Sequence, residues 1–360
     1  MKIAYVSYAN VKIDNPERWL AQLSFYTGIL EQQCKGHRVI SFHSPDQNAT
    51  IIQNDVEYRF VKGSTIQKFF PFSLNRQIAL QNPDAIIVHG LHFGWQLIWL
   101  RFQLKRETKI FVWHHAEKPK RFPKSIAQQI ADRLTKGYFF VSKESAQVWV
   151  EKKQISSIEK IHEVMEASST FFPIDKQDAR KKAGVADNLN YLWVGRLDEN
   201  KDPVTLVKAF QKFSKDYAPA KLHIIFKGGN LNSEVKKITD SNPAISLVGE
   251  VAHEELLYWY NSSDFIISTS HYEGSGIAVC EGMSCGCIPI LSKIPSFKKM
   301  TYDAQCGLLF EAGNELDLYD AFLKSISIDM KTHRKFTLQI FEEGLSFESI
   351  ARTINEIIAR

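Results

Sequence analysis

The feature that most constrains this chain is a repeated alternation of short apolar runs with longer stretches of helical period. In the first half, the predicted strands are Lys2 to Ser7, Arg38 to His43, Ala85 to His89, Lys109 to Trp113 and Tyr138 to Val141. The helices expected between them lie near Pro16 to Gln33, Trp95 to Lys105, Lys124 to Thr135 and Lys143 to Lys152. The second half repeats the pattern from Tyr191 to Phe310, with Ile288 to Ser292 among its predicted strands. Such alternation is typical of βαβ units and a parallel sheet. Because 360 residues exceed what one hydrophobic core usually covers, the sequence predicts two doubly wound α/β domains.

The boundary between the domains is indicated by composition. Residues 176–190 are polar and charged and contain Gly184, which is typical of a linker around a short helix. We therefore expect an amino-terminal domain over residues 1–175 and a carboxyl-terminal domain over residues 191–345. Residues 346–360 carry Ile350, Ile354 and Ile357 at helical spacing and are expected to form an amphipathic helix that docks on the protein through these residues.

Basic residues are concentrated in the first half of the chain. Residues 1–180 contain 25 Lys and Arg against 17 Asp and Glu, whereas residues 181–360 contain 20 against 23. Because clustered positive charge attracts anions, we expect the first half to face an anionic membrane surface or a charged acceptor. No nucleic-acid partner is expected, since the excess is modest and the aromatic residues form no recognisable stacking motif.

The stretch Lys62 to Arg76 has the composition of an interfacial segment. Its relevant members are three basic residues and three phenylalanines, namely Lys62, Lys68, Arg76, Phe69, Phe70 and Phe72. Such a mixture suits an anionic bilayer surface and would favour a lipid-linked acceptor. The alternative is that the rings belong to the core and the charges to its rim.

Targeting signals are not evident in the sequence. The chain has no apolar run of the roughly 18 residues that a spanning helix needs. Its start resembles a first strand and not a secretory signal. We therefore expect a cytoplasmic protein, soluble or peripheral at the inner face of the membrane.

Cysteine and histidine give little support for a metal or redox site. The five cysteines form no Cys-x-x-Cys pair and are expected to be reduced core residues. Four histidines follow two predicted strands, at His89, His92, His114 and His115. They could bind a metal or line a ligand cleft, and we favour the cleft because few carboxylates lie near them. No metal is expected.

Two cations lie in the loop after the predicted strand Tyr191 to Val194. Arg196 and Lys201 both precede a helix expected to begin at Pro203, a residue favoured at the first helical position. A guanidinium and an ammonium group on one strand-to-helix loop suit a diphosphate. The alternative is a solvated charged loop.

A glycine-rich segment follows the predicted strand Phe265 to Ser268. Gly274 and Gly276 allow the backbone to approach a ligand closely. A helix beginning near Ser275 would present the positive end of its dipole to an anion.

Two glutamates flank this helix start. Glu273 and Glu281 are placed to hold hydroxyl groups at two ends of one extended ligand. The alternatives are a helix cap for Glu273 and an exposed helix residue for Glu281. Because Glu281 lies in an otherwise apolar helix, we expect it to have a polar partner.

Several nucleotide motifs are missing from the sequence. There is no Gly-x-Gly-x-x-Gly after the first strand and no Walker motif, which disfavours a nicotinamide enzyme and a P-loop phosphotransferase. There is also no Asp-x-Asp for a divalent cation. Arg196, Lys201 and the helix dipole would then neutralise a diphosphate without a metal.

These segments together resemble glycosyltransferase family 4, the retaining sugar-nucleotide transferases of the GT-B fold. Gly195-Arg196-Leu197 with Lys201 looks like the diphosphate loop of that family, and Leu247-Val248-Gly249-Glu250-Val251 looks like its base-contacting turn. Glu273 and Glu281, with seven residues between them, match its paired glutamates.

The first half is similar to the family in fewer places. These are Gly36-His37-Arg38-Val39, Asp84 to His89, Trp113 to Ala116 and Val141-Ser142-Lys143. Two segments depart from the pattern: Ala9 to Asn15 replaces a glycine-rich turn, and Ile294 to Met300 lacks a glycine pair followed by glutamate. The departure at Ala9 to Asn15 removes the basis for expecting acceptor or phosphate contacts at that loop. The departure at Ile294 to Met300 implies that the donor sugar is held differently from the family pattern.

The resemblance implies two Rossmann-like domains facing a cleft, with the last helix packing back on the first domain. It implies that Arg196 and Lys201 stabilise the departing diphosphate, that Glu281 binds the ribose and Glu273 a sugar hydroxyl. His115, or else His114, would orient the sugar. The expected donor contacts of the backbone are those of Gly195, Gly249, Val251, Gly274, Ser275, Gly276 and Ile277.

The activity implied is retaining, metal-independent transfer of a hexose from a UDP-, GDP- or ADP-sugar. The acceptor would be a glycan or a lipid-linked molecule in cell-surface polysaccharide or glycoconjugate synthesis. Two alternatives share the fold: a nucleotide-sugar 2-epimerase or phosphorylase, and a catalytically silent nucleotide-sugar-binding subunit.

Overall fold

The computed structural model describes residues 1–63, 70–121, 125–240 and 242–360. Within them the chain forms two compact units. The first unit contains Met1–Glu166 together with Phe347–Arg360, and the second contains Ala167–Ser346. Residues 176–190, expected to be a linker, lie inside the second unit.

The first unit is built on a sheet that has eight strands within the described residues. The strands are β1 (Lys2–Val11), β2 (Arg38–Pro45), β3 (Ala49–Gln53), β4 (Val56–Phe60), β5 (Ala85–His89), β6 (Lys109–Trp113), β7 (Gly137–Phe140) and β8 (Ile161–Glu163). Their order is β3-β4-β2-β1-β5-β6-β7-β8. All pairs are parallel except β3 with β4, an antiparallel hairpin whose turn residues Asn54 and Asp55 have positive φ.

Helices cover this sheet. They are α1 (Pro16–Gln22), α2 (Ser24–Cys34), α3 (Phe72–Leu80), α4 (Gly94–Arg101), α5 (Ile126–Asp132) and α6 (Lys143–Glu151), with 3-10 turns at Leu91–Phe93 and Ile158–Lys160. The single helix predicted from Pro16 to Gln33 is divided at Leu23 into two helices. Strands β3, β4 and β8 and helix α3 were not predicted.

The second unit has a parallel sheet of six strands within the described residues. They are β9 (Leu189–Gly195), β10 (Ala220–Phe226), β11 (Ile245–Gly249), β12 (Phe265–Ser268), β13 (Ile288–Ser292) and β14 (Leu308–Phe310). Their order is β11-β10-β9-β12-β13-β14. This is a doubly wound order. From β9 the chain adds β10 and β11 toward one edge of the sheet, and from β12 it adds β13 and β14 toward the other edge.

The second unit's helices connect these strands. They are α7 (Lys176–Ala183), α8 (Pro203–Asp216), α9 (Asn232–Thr239), α10 (Leu256–Ser262), α11 (Ile277–Ser284), α12 (Pro295–Met300), α13 (Glu315–Ser325) and α14 (Met330–Ile340), with a 3-10 turn at His253–Glu255 and a π-helical turn at Phe341–Leu345. Helix α8 begins at Pro203 as predicted, and the Asp202 side chain caps it by accepting from the Thr205 N–H at 3.1 Å.

An aromatic core holds α8 and α13 against the second sheet. Tyr191 on β9 is fully buried, and its ring stacks on Phe265 of β12 at 4.9 Å. Phe210 and Phe322 meet Tyr191 edge-on at 5.5 and 5.3 Å. Such ring pairs add stability beyond that of the apolar area they bury, and they hold β9 and β12 side by side.

The last helix, α15 (Phe347–Ala359), belongs to the first unit and packs on α2. Its Ile350, Ile354 and Ile358 are buried, which confirms the predicted amphipathic helix with Ile358 in place of Ile357. The Phe347 ring lies over Gly28, where an added Cβ would be 2.8 Å from it. Gln33 donates to Asn355 at 2.7 Å.

Candidate functional site

The second sheet brings the two predicted site loops to one edge. Strands β9 and β12 are neighbours and parallel, so the loops that follow them leave from the same carboxyl edge. These loops are residues 196–202 and 269–276. The strand order diverges between β9 and β12, and ligands of open α/β sheets bind at such a switch point.

The loop after β9 is held by the loop after β10. The Leu197 N–H donates to the Gly228 carbonyl at 3.1 Å, and the Leu231 N–H donates to the Leu197 carbonyl at 2.9 Å. Gly229 has φ +121°, and a Cβ there would lie 2.2 Å from the Leu197 oxygen. At the end of β9, a Cβ on Gly195 would meet the Trp193 ring at 2.9 Å. Gly229 therefore lets the two loop backbones pack closely, and Gly195 leaves room for the Trp193 ring.

Main-chain and side-chain hydrogen bonds join the loops after β9 and β12. The His271 N–H donates to the Asn200 carbonyl at 2.8 Å, and the Asn200 side chain donates to the Tyr272 carbonyl at 3.0 Å. The Thr269 hydroxyl donates to the Lys201 carbonyl at 2.6 Å. The two loops therefore form one surface.

Lys201 and Glu273 meet on this surface as an ion pair. The side chains are 29% and 13% exposed, so solvent screens the pair only in part. The cation predicted to bind a diphosphate is thus held by the carboxylate predicted to bind a sugar hydroxyl.

Arg196 is placed differently. Its side chain is 70% exposed, and its Nε lies 3.3 Å from an Asp198 carboxylate oxygen. Asp198 also accepts from the Lys201 N–H at 3.1 Å. Arg196 therefore shares the loop with Lys201 but has its own acidic partner.

The glycine-rich segment ends at the start of α11. Gly276 is the N-cap, with φ +59°, and α11 begins at Ile277, two residues later than predicted. A Cβ on Gly276 would lie 2.7 Å from the Phe297 ring. Gly274 and the buried Ser275 precede this cap, so the positive end of the helix dipole lies at the same edge as Lys201.

Glu281 has the polar partners that its buried helix requires, as predicted. Its Oε2 accepts from the Tyr260 hydroxyl at 2.7 Å, and its Oε1 lies 2.9 Å from His253 Nε2. The hydrogen bond to Glu281 outweighs burial and raises the pKa of His253. Tyr260 and His253 were not singled out in the sequence.

The turn after β11 leads directly to His253. Gly249 ends β11 with φ +87°, and Val251 precedes the 3-10 turn that begins at His253. The segment predicted to contact a base therefore leads directly to His253, and His253 contacts Glu281, the carboxylate predicted to contact a ribose.

In the first unit, His115 lies at the carboxyl edge of β6. Its Nδ1 is 2.6 Å from Glu166 Oε2, and its Nε2 is 2.7 Å from His89 Nδ1. Burial acts to lower the pKa of His115, but the hydrogen bond to Glu166 and the charges of Glu166 and Glu117 raise it above its ordinary value. Its side chain is 35% exposed.

His114 faces the interior. Its ring stacks on Phe140 at 4.3 Å, and its Nε2 is 3.0 Å from the Glu117 carbonyl oxygen. Burial lowers the pKa of His114. Of the two neighbouring histidines, His115 has the more accessible ring.

Glu117 fixes the loop that carries His115. Its carboxylate accepts from the Leu91 N–H at 3.0 Å and from the His115 N–H at 2.7 Å, which ties the loops after β5 and β6 together. Gly90 has φ +91°, and a Cβ there would lie 2.8 Å from the same carboxylate.

The remaining predicted features are placed as follows. Cys280, Cys285, Cys287 and Cys306 are buried free thiols, as expected, while Cys34 is partly buried. No group of three or more His, Cys, Asp and Glu side chains in the described ranges is arranged to hold a metal ion. Among the helices of the described residues, none is both long and apolar enough to span a bilayer.

Part of the predicted interfacial stretch lies outside the residues that the structure describes. Lys68 and Phe69 lie in residues 64–69, which the structure does not describe. Phe70 and Phe72 are 42% and 53% exposed, and both rings contact Trp99, at 5.6 and 5.5 Å. These two rings are therefore on the surface and not in the core.

Comparison with known families concerns the segment that holds the loops described above. Residues 175–339 match the family of glycosyl transferases group 1. This group 1 segment contains Lys201, Glu273 and Glu281.

Curated relatives match over a similar part of the chain. A D-inositol 3-phosphate glycosyltransferase from Arthrobacter sp. is 23% identical over 159 residues, 42% of this chain and 38% of that protein. A poly(glycerol-phosphate) alpha-glucosyltransferase from Bacillus subtilis is 28% identical over 173 residues, 46% of this chain and 25% of that protein. The similarity thus spans well under half the length of these relatives.

Solved structures resemble the whole chain. Sucrose-phosphate synthase from Thermosynechococcus elongatus gives a TM-score of 0.74 at 16% identity, covering 99% of this chain and 98% of that one. Anabaena HepE in complex with UDP also gives 0.74, at 14% identity and full coverage of both chains. The chain therefore has the predicted GT-B fold of two parallel-sheet α/β domains.

Proposed function

We propose that this chain is a retaining glycosyltransferase of family 4 that moves a hexose from a nucleoside-diphosphate sugar to a glycan or lipid-linked acceptor. One observation carries the proposal. A cation and a carboxylate, Lys201 and Glu273, meet at the switch point of a doubly wound sheet, inside the segment that matches glycosyl transferases group 1.

In this proposal the loop after β9 binds the diphosphate. When the diphosphate binds, Lys201 gives up its ion pair with Glu273 or pairs with Glu273 and a phosphate oxygen together. The exposed Arg196 gives up its ion pair with Asp198 and binds a phosphate oxygen instead. Negative charge grows on the leaving diphosphate as the glycosidic bond breaks, so both cations stabilise the transition state more than the ground state. These two side chains and the α11 dipole take the place of a divalent ion.

Donor recognition uses the other segments of the same edge. Glu281 accepts hydrogen bonds from the ribose hydroxyls, and the turn containing Gly249 and Val251 contacts the base. The backbone of residues 274–277 binds the phosphate or the sugar. Glu273, once separated from Lys201, accepts a sugar hydroxyl.

His115 of the first unit orients the donor sugar. The acceptor hydroxyl attacks from the face that the diphosphate leaves, and its proton passes to the departing diphosphate oxygen. This front-face route retains the configuration at the anomeric carbon without a covalent nucleophile on the protein.

The acceptor is a glycan or a lipid-linked molecule of cell-surface polysaccharide or glycoconjugate synthesis. Two relatives support this class by their names: the Bacillus subtilis protein acts on poly(glycerol phosphate), and a Xanthomonas oryzae relative, 27% identical over 140 residues, is a GDP-mannose:cellobiosyl-diphosphopolyprenol alpha-mannosyltransferase. The basic excess of the first half suits such anionic acceptors.

We further propose that the protein works at the inner face of a membrane. Four rings form a surface cluster, which we call the aromatic patch: Phe70 just before α3, Phe72 at its start, Trp99 on α4 and Phe102 at the C-cap of α4. From Lys62 to Arg106 the sequence has six Lys and Arg residues and one acidic residue, Asp84. Apolar rings within a cationic segment suit an anionic lipid surface.

The first test is a thermal-shift panel of UDP, GDP and ADP with their sugar conjugates, with Mg²⁺ or with chelator. Ligand at about a hundred times its dissociation constant adds roughly 2.7 kcal/mol of stability. We expect one base to raise the melting temperature equally under both conditions. No shift with any donor would contradict the proposal.

The second test identifies the reaction. The donor found by thermal shift is incubated with candidate glycan and lipid-linked acceptors, and the anomeric configuration of the product is read by NMR. Transfer with retention is expected. Conversion of the donor without any acceptor would indicate an epimerase, and binding without turnover would indicate a silent subunit.

A further inference from the structure

A continuous chain of hydrogen bonds runs behind His115 in the first unit. Glu166 Oε2 is 2.6 Å from His115 Nδ1, His115 Nε2 is 2.7 Å from His89 Nδ1, and His89 Nε2 is 2.8 Å from the Tyr26 hydroxyl. The His89 ring stacks on His115 at 5.0 Å and on Trp113 at 5.7 Å. Both nitrogens of each imidazole therefore have a partner.

Two proton arrangements satisfy these bonds. In one, His115 is a cation that donates to Glu166 and to His89, and neutral His89 donates to Tyr26. In the other, His115 is neutral, accepts from His89 and donates only to Glu166, while Tyr26 donates to His89. Geometry alone allows either arrangement.

Electrostatics favour the charged arrangement. A Glu166 carboxylate oxygen lies 2.6 Å from His115 Nδ1, and the Glu117 carboxylate accepts from the His115 N–H at 2.7 Å, so two carboxylates lie beside this residue. Burial acts to lower the pKa of His115, but the two carboxylates raise it above its ordinary value. Burial and the charge of His115 lower the pKa of His89 well below its ordinary value. The extra proton therefore resides on the ring nearest the carboxylates.

We propose that Glu166 is a positioning residue that keeps His115 an imidazolium in one fixed orientation, with neutral His89 as the acceptor behind it. The inference rests on the proposed function, in which His115 faces the donor. Because both ring nitrogens are engaged, His115 acts there as a fixed positive charge and not as a base. A fixed charge of this kind stabilises negative charge that develops on a leaving group.

The proposal makes activity depend on pH in a defined direction. The groups that face His115 come from its own loop, from β5 and from the segment after β8, with Tyr26 of α2 behind. They are Glu117, His114, His89, Glu166 and Tyr26. Since His115 is active as a cation, turnover falls as pH rises through its raised pKa.

NMR titration of the full chain tests the proposal without any donor. Long-range ¹H–¹⁵N spectra report the charge and tautomer of each histidine. In the wild type we expect both His115 nitrogens to be protonated above the ordinary histidine pKa and His89 to stay neutral. Glu166→Gln keeps the size of the side chain and should lower the His115 pKa by about 1–3 units.

Two variants complete the titration. Glu166→Asp retains the charge and should recover at least part of the shift. Glu151→Gln makes the same chemical change at an exposed position on α6 and should leave His115 unchanged. A neutral His115 at pH 6.5 in the wild type would overturn the proposal, whether or not Glu166→Gln folds.

Kinetics then separate this inference from the proposed function. With an active donor and acceptor, Glu166→Gln should move the alkaline limb of the kcat/KM profile to lower pH by the shift seen in NMR. An unmoved limb would overturn the role of Glu166. If no donor is turned over while the titration behaves as expected, the proposed function fails and the charged arrangement stands.

Discussion

The ammonium group of Lys201 is ion-paired with the carboxylate of Glu273, although the two residues are 72 positions apart in the chain. The pair exists because β9 and β12 are adjacent and parallel, so the loops after them share one edge. Three further hydrogen bonds between the loops hold this geometry, as described above. Each side chain neutralises the charge of the other. A ligand that carries both anionic oxygens and hydroxyl groups can replace this ion pair, because its anionic oxygens can bind Lys201 while its hydroxyl groups donate to Glu273.

Replacing Lys201 by alanine should lower kcat about 10²- to 10³-fold, the range found when one preorganised donor to developing charge is removed. Folding should change little, because the side chain lies at a partly exposed loop. Steady-state kinetics with the donor found by thermal shift measures the effect, and circular dichroism checks the fold.

Lys208→Ala is the matched control for this prediction. Lys208 is exposed on α8, the helix that the Lys201 loop enters. It should retain normal turnover. Equal activity of the two variants would remove the loop after β9 from the mechanism.

Gly229→Ala should disturb the loop after β9 far more than Gly228→Ala. A Cβ at Gly229 would lie 2.2 Å from the Leu197 oxygen, whereas one at Gly228 meets nothing within 4 Å. Gly228 has φ +65°, so alanine there costs only about 1–2 kcal/mol of backbone strain. Thermal unfolding and nucleotide titration should show lost donor binding for Gly229→Ala alone. Equal binding by both variants would mean that the Leu197 contact does not shape the site.

Tyr260→Phe should destabilise the second unit by about 1–3 kcal/mol, because a buried Glu281 oxygen loses its donor. Nucleotide affinity should fall as well, since the carboxylate is no longer held. Tyr258→Phe removes the same hydroxyl from a partly exposed position on the same helix and should change stability by less than about 0.5 kcal/mol. Denaturant unfolding and calorimetric titration measure both quantities. Similar losses in the two variants would show that the bond to Glu281 is not special.

Strands buried on both faces were read well from the sequence, because they are continuous apolar runs. Ala85–His89, Lys109–Trp113 and Ile288–Ser292 have the predicted bounds. The edge hairpin β3–β4 was missed although β4 alternates buried Val56, Tyr58 and Phe60 with partly buried charges. The break at Leu23, where φ is −101° and ψ is 19°, has no glycine or proline to signal it.

The loops that hold the candidate site residues were predictable from the sequence, but the contacts between those residues were not. Loop position after a strand identified Lys201 and Glu273, yet nothing in a linear sequence indicates that they touch. The expectation of a polar partner for Glu281 was correct, but Tyr260 lies 21 residues away on another helix. Glu166 was missed for the same reason, because only the arrangement of β6 and β8 brings it to His115.

Acidification should weaken the first unit through His43. Burial lowers the pKa of His43 to about 4, whereas its ordinary value is 6.5. Between these values the unfolded chain binds a proton that the folded chain does not, so stability is full above pH 6.5 and falls as pH drops toward 4. From pH 7 to pH 5 this amounts to about 2 kcal/mol.

Denaturant unfolding of the wild type and of His43→Gln at the two pH values measures this contribution. The variant should be less stable at pH 7, because the ring stacked on Phe60 is lost. Its stability should fall less between pH 7 and pH 5, by about the same 2 kcal/mol. Identical pH dependence in the two proteins would show that His43 takes up its proton without unfolding.

The aromatic patch should bind anionic vesicles through its exposed rings. Phe72 and Phe102 are 53% and 77% exposed, so changing both to serine should leave the fold intact. Burying one phenylalanine ring is worth about 1.5–3 kcal/mol, so the double variant should lose at least about tenfold in partitioning to phosphatidylglycerol vesicles at low salt. Leu316→Ser, which removes a side chain 62% exposed on α13 of the second unit, is the control and should bind normally. Failure of the wild type to co-sediment, or equal binding by the double variant, would exclude the patch as a membrane contact.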